Sequence, residues 1–181
     1  MTEKTIKRTE QVNQTMAMLT EALTKLMVKK PLDQITIAEL TEEAGLARRT
    51  FYRHVKTIDD LLTIKVEQII TKLYQEVEWH SQTFEDVLNK VYPALLKDKT
   101  FLLALAKNNR EYLLQKVILN EREQSIIQLP KEPVYDLTAY FGAGGISSVI
   151  IYWIHQGFRQ SPEEVAKANR QLIQHIKRIT Q

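Results

Sequence analysis

The run ITIAELTEEAGLARRTFYRHVK, residues 35–56, leaves little choice of local fold. Thr36 is a favourable N-cap, and Glu39 follows three residues later at capping-box spacing. Ile37, Leu40 and Ala44 recur on one helical face, so a first helix is expected to run through Ala44. Gly45 supplies the left-handed residue that ends such a helix, and Leu46 fills the angle to the next one. A second helix is expected from about Ala47 to Val55, with Phe51 and Val55 inward and Arg48, Arg49, Tyr52 and Arg53 outward. This is the pattern of a helix-turn-helix whose second helix can enter the major groove of DNA. An Arg near the helix start can bridge guanine O6 and N7, while Tyr52, His54 and Lys56 suit phosphate oxygens. The amide at the start of the helix behind Thr36 suits them too.

The charge is concentrated in the same place. Between Ala44 and Ile58 stand four Lys or Arg and no acid, whereas the 181-residue chain carries only +3 in total. Charge on a helix is ordinarily just a solvated face. Here it coincides with a cap, a turn glycine and an apolar plug in the order a DNA reader needs.

The rest also reads as helix, since five Gly, five Pro and no period-two alternation leave little room for strands. Residues 1–8 are expected to be a mobile basic arm, and the first helix to run from about Thr9 to Lys29, ending before Pro31. Thr57 is expected to cap a long connector helix carrying Asp59 and Asp60 in its first turn and an apolar face from Leu61 to Val77. Further helices are expected at 83–97, kinked or restarted at Pro93, then at 100–108 and 111–124, with a loop at 126–134.

Residues 9–62 resemble the DNA-binding domain of the tetracycline-repressor (TetR) family. The resemblance rests on the KKPLDQIT exit of the first helix and on ITIAELTEEAGLARRTFYRHVKTIDDLL, with Thr36, Ala44-Gly45-Leu46, Thr50-Phe51-Tyr52 and Leu61 in the family's positions. It implies that Arg48, Arg49 and Tyr52 approach bases, and that Thr36, Thr50, Tyr52, His54 and Lys56 hold phosphates. Three positions depart from the pattern. Ala47 replaces a frequent Ser, so the recognition helix lacks a side-chain cap worth about 1 kcal/mol. Ile58 stands where a backbone-contacting Lys is common, leaving Arg53 or Lys56 to supply that phosphate contact. Arg49 replaces a frequent Gly and adds a long cationic reader.

A strongly apolar helix is expected over 137–157. Ala139, Ala143 and Ser147 stand four apart, as do Gly144 and Ser148, which permits close approach of another helix. Ser161, Pro162 and Glu164 mark the start of a last helix bearing Leu172 and Ile176. Two such helices from each of two chains would make a four-helix bundle, with Ala139, Ala143, Gly144, Ser147, Ile150, Leu172 and Ile176 as the interface; the alternative is intrachain core. YFGAGGISSVIIYWIHQGFRQSPEEVA also resembles the C-terminal segment of one TetR subgroup, and the family dimerises through these helices.

The expected architecture is therefore all-α: a three-helix DNA-binding domain over 1–62, joined by the connector helix to a dimerisation and effector domain over 63–181. The expected function is a homodimeric transcriptional regulator, a repressor on a palindromic operator. The rival is a related interaction protein acting through a protein partner of co-activator type. The resemblance implies a small-molecule effector between the C-terminal helices, where Tyr74, Trp79, Phe84, Tyr92, Phe101, Tyr112, Tyr140 and Trp153 are the available aromatics, but ordinary core explains them as well.

Catalysis, cofactors and metal sites are not expected. Gly142-Ala143-Gly144-Gly145 lacks the strand and lysine of a phosphate loop, the four histidines have no metal-ligand spacing, and cysteine is absent. The polar start MTEKTIKRTEQ has no apolar core of a signal peptide, and a cytoplasmic location without membrane contact is expected.

Overall fold

Apolar residues three and four apart, with few interruptions, give helix throughout. In the computed structural model, residues 3–76, 84–124 and 133–179 are described, and all extended regular structure among them is α-helical. The chain divides into two compact units, Met1–Lys65 and Val66–Gln181.

The first unit opens with α1, Glu3–Lys29, which buries Met16, Leu19, Leu23, Leu26 and Met27. The helix begins well before Thr9, so residues 3–8 are ordered helix rather than an arm. No Gly or Pro interrupts them, and the Thr9 hydroxyl donates to the Thr5 carbonyl within the helix (3.1 Å). Pro31 closes α1, and a single 3-10 turn, Leu32–Gln34, leads to α2, Ile37–Glu43. Next come α3, Arg48–Tyr52, and α4, Ile58–Glu76, within which the division between the units falls.

In the second unit lie α5, Phe84–Leu96; α6, Lys99–Lys107; α7, Tyr112–Gln124; α8, Pro133–His155; and α9, Pro162–Ile179. Helix α5 is continuous through Pro93, which is exposed, rather than restarting there. Helix α8 packs on α6 and α7, and α9 packs on α5. The expected loop at 126–134 lies largely outside the described residues, and its last two positions belong to α8.

The turn between α8 and α9 organises this core. Gly157 takes φ +67°, the Gly157 N–H donates to the Ile154 carbonyl (2.8 Å), and the Phe158 N–H donates to that of Trp153 (3.0 Å). These paired bonds close a Schellman cap. The Phe158 ring meets Trp153 edge-on at 4.7 Å, and Trp153 meets Tyr92 at 5.5 Å. Trp153 Nε1 donates to the Gln160 carbonyl (3.0 Å), and the buried Asn169 amide donates to the Tyr92 hydroxyl (2.9 Å). Every polar edge of this aromatic cluster is thereby satisfied, as burial demands. Ser161 then starts α9: its hydroxyl accepts from the Glu164 N–H (3.2 Å), and Glu164 Oε2 accepts from the Ser161 N–H (2.7 Å).

Candidate nucleic-acid interface

The turn between α2 and α3 fixes the direction of the basic helix. Gly45 has φ +64°; its N–H donates to the Glu42 carbonyl (3.0 Å), and the Leu46 N–H donates to that of Thr41 (2.8 Å). This is again a Schellman cap, and it needs a residue that tolerates positive φ. The Thr36 hydroxyl accepts from the Glu39 N–H (3.2 Å), leaving its own hydrogen to point elsewhere. Glu39 is gripped mainly by the Lys30 ammonium, with the Thr36 N–H contributing, and its carboxyl is held below the usual range.

Helix α3 is pinned by one side chain. Phe51 is fully buried, as is Leu40 of α2, and Val55 closes the same core. Fixing Phe51 fixes the rest of the helix at 100° per residue. Arg48, Arg49, Tyr52 and Arg53 are exposed, and Lys56 and Thr36 are exposed near by in sequence, while Thr50 and His54 are half-buried. The Tyr52 ring stands edge-on to Phe51 at 5.5 Å, which holds its hydroxyl end outward. The regular helix has five residues rather than the nine expected; Arg53 still has helical dihedrals (φ −70°, ψ −24°), and the His54 and Val55 N–H groups close the end by donating to the Phe51 carbonyl (2.9 and 3.0 Å). Ala47 sits in extended conformation at the N-cap with no side-chain hydrogen bond, so the first turn of α3 is uncapped by any side chain.

Beyond α3, the cap expected of Thr57 alone is a reciprocal one shared with Asp60. The Thr57 hydroxyl accepts from the Asp60 N–H (3.0 Å), and Asp60 Oδ2 accepts from the N–H groups of Thr57 (2.9 Å) and Lys56 (3.2 Å). These bonds hold the Asp60 carboxyl below its ordinary value, the Thr57 hydroxyl most of all. Ile58, the position lacking the common Lys, is half-buried.

The residues expected at a self-association face do not share one environment. Ser147 and Ile150 are already buried inside their own chain, and the Ser147 hydroxyl donates to the Gly144 carbonyl (3.0 Å). They point inward because α8 uses this side against α6 and α7. Ala143 and Gly144 are half-buried, and the side chains of Ala139 and Ile176 lie outside the described residues. The outward face of α8 is a different row: Val134, Leu137, Phe141, Gly145, Ser148 and Tyr152, all exposed, with Phe141 at 72 %. At 100° per residue, Phe141 and Ile150 lie about 180° apart. Leu172 of α9 is exposed and lines a groove of about 310 Å³ together with Tyr152 and Val149.

Of the aromatics available to an effector, Tyr92, Phe101 and Trp153 are closed core, whereas Tyr112 and Tyr140 are exposed. Trp79 and the side chain of Phe84 lie outside the described residues. Among the described residues no group of three or more His, Cys, Asp or Glu is placed to hold a metal ion, and no helix is long and apolar enough to cross a membrane.

A helix-turn-helix with an exposed cationic second helix, followed by an all-helical second unit, defines a DNA-binding regulator. Sequence comparison agrees on both halves. Residues 19–63 match the model of bacterial regulatory proteins of the TetR family, and residues 65–175 match a TetR-type transcriptional regulator C-terminal region. The chain belongs to the TetR family, whose members are regulators rather than enzymes. No protein of curated function matches by sequence. Lin0861 from Listeria innocua shares the fold at 20 % identity and TM-score 0.71, over 94 % of this chain and 93 % of that one. DhaS, described as a dihydroxyacetone kinase operon activator, follows at 19 % identity and TM-score 0.60, over 91 % and 97 %. A TetR transcriptional regulator from Streptococcus agalactiae has 18 % identity and TM-score 0.58, over 91 % and 96 %.

Proposed function

We propose that this regulator is a homodimeric repressor that reads a palindromic operator through Arg48, Arg49 and Tyr52 and grips the backbone through Thr36, Thr50, Arg53, His54 and Lys56. The observation that carries this reading is the exposure of Arg48, Arg49, Tyr52 and Arg53 on α3, a helix anchored by the buried Phe51. Arg can read guanine bidentately, and a helix held rigidly by its core presents that fork in one register.

Dimerisation is assigned to the outward row of α8, with Leu172 of α9 at its margin. A large apolar row left in water calls for a partner surface. The small residues Gly145 and Ser148 lie between Phe141 and Tyr152, so a second copy of α8 could approach closely there. A two-fold axis through this face would pair two readers, as a palindrome requires.

Repression by occupancy needs only these two surfaces. DhaS is described as an operon activator, so activation through a further protein partner is the second reading. Selection of bound sequences from random duplex DNA at near-physiological salt tests the proposal. Enrichment of a palindrome by the wild type, and of a relaxed motif by Arg48→Ala, is expected. A folded, dimeric protein that enriches nothing would overturn the DNA-reading proposal.

A further inference from the structure

Where α1 ends, the Lys30 side chain reaches forward across two elements. Its ammonium donates to the Gln34 carbonyl at the end of the 3-10 turn (2.9 Å) and to Glu39 Oε2 in the first turn of α2. The Lys30 N–H donates back to the Leu26 carbonyl of α1 (3.0 Å). We propose that Lys30 is a positioning residue that acts on DNA binding through Glu39: without touching the duplex, it cancels the charge of the carboxylate that stands beside Thr36. The inference rests on the DNA-binding reading above, in which Thr36 grips the backbone.

Three arguments carry it. The first is the charge of Glu39. Its N–H donates to the Thr36 hydroxyl (3.2 Å), so the residue is tied within one turn of the group assigned to a phosphate. The Glu39 carboxyl is held below its usual range, by the Lys30 hydrogen bond above all, and is therefore an anion at neutral pH. Left alone, it would repel a phosphate on Thr36, and at a separation below the Debye length of about 8 Å salt would not remove that repulsion.

The second is the way Lys30 is held. An ammonium has three donors, and two of these are occupied within the protein. The side chain keeps only 28 % of its exposure, against 39 % for Glu39. A lysine bound in this way is a fixed counter-charge and not a free arm reaching for the backbone. The third is the use of a carboxylate at this position. In the first turn of α2 it suits the helix dipole, and it completes a capping box with Thr36. The same charge is unwelcome once a duplex lies against Thr36. Lys30 preserves the cap while removing that cost.

The test measures affinity for the selected duplex and a scrambled one, across a series of salt concentrations, in Lys30→Met, Lys30→Arg and the double variant Lys30→Met/Glu39→Gln, with thermal denaturation of each. Gln retains the acceptor of a capping box, so the double variant keeps the cap of α2. Lys30→Met leaves Glu39 uncompensated and is expected to lose about fivefold in affinity for both duplexes, while Lys30→Arg stays near the wild type. The double variant carries neither charge and is expected to recover to within about twofold of the wild type, with its salt slope unchanged. A double variant as weak as Lys30→Met, or one whose slope flattens by about 0.9, would make Lys30 itself a phosphate ligand and overturn the proposal. Unchanged affinity in Lys30→Met overturns it too. Should Lys30→Met not fold, the double variant against the wild type decides on the same terms. A wild type that binds neither duplex overturns the DNA reading and the role of Lys30 with it.

Discussion

On the proposed reading, two exposed cations of one motif divide the work: Arg48, which opens α3, reads a base edge, and Lys56, which lies past its end, holds a phosphate. Arg48→Ala is expected to change sequence preference at one base pair by about 1–3 kcal/mol. Lys56→Ala is expected to weaken all duplexes alike and to flatten the salt slope. Binding to a panel of single-base operator variants checks both, and equal behaviour of the two substitutions would dissolve the division. His54 adds a pH dependence. Burial lowers its pKa below the ordinary 6.5, and the charge of Arg53 lowers it further; Lys7 and Arg8 face it from α1. A bound phosphate favours the imidazolium, so the complex holds its proton to higher pH than the free protein does. Binding therefore takes up a proton, and affinity should rise as pH falls through the pKa of the complex towards the lowered pKa of the free protein. His54→Gln should flatten that rise; an undiminished rise in the variant would assign it to another group.

At the scale of elements, the caps decide where helices begin. Ala47 leaves the first turn of α3 without a side-chain acceptor, although its extended conformation suits a serine cap. Ala47→Ser is expected to stabilise the protein by up to about 1 kcal/mol, and Thr57→Ala to destabilise it by about the same, both readable by thermal denaturation. These starts are legible in the sequence because a cap is a local feature: Thr36, Thr57 and Ser161 announce α2, α4 and α9 within four residues. The start of α1 is not. Residues 3–8 bear no apolar stripe, so periodicity begins only with Val12 and Met16, while the helix itself extends back to Glu3. Helix α8 misleads in another way. It is apolar on nearly every side, so spacing cannot say which small residues face the chain's own core and which face out. Ala143 and Ser147 serve the first purpose to different degrees, and Gly145 and Ser148 stand on the open side.

For the whole molecule, the proposed function rests on two faces that the sequence places far apart, the basic row of α3 and the outward row of α8. Phe141→Asp should leave the fold intact, because Phe141 is exposed, yet bring two carboxylates together across a two-fold contact. Sedimentation should then find monomers. Ser147→Leu should do the reverse: Ser147 is wholly enclosed, and overpacking there should cost about 1–3 kcal/mol of stability without a direct effect on association. A dimer that survives Phe141→Asp would remove this row of α8 from the interface. The paired reader itself is tested most directly by measuring stoichiometry and affinity on the selected palindrome and on the same duplex with one half-site scrambled. Two chains per intact duplex, with half-sites about one helical turn apart and a steep loss of affinity when one is scrambled, is the expected result. One chain per duplex, or equal affinity for the two, would contradict it.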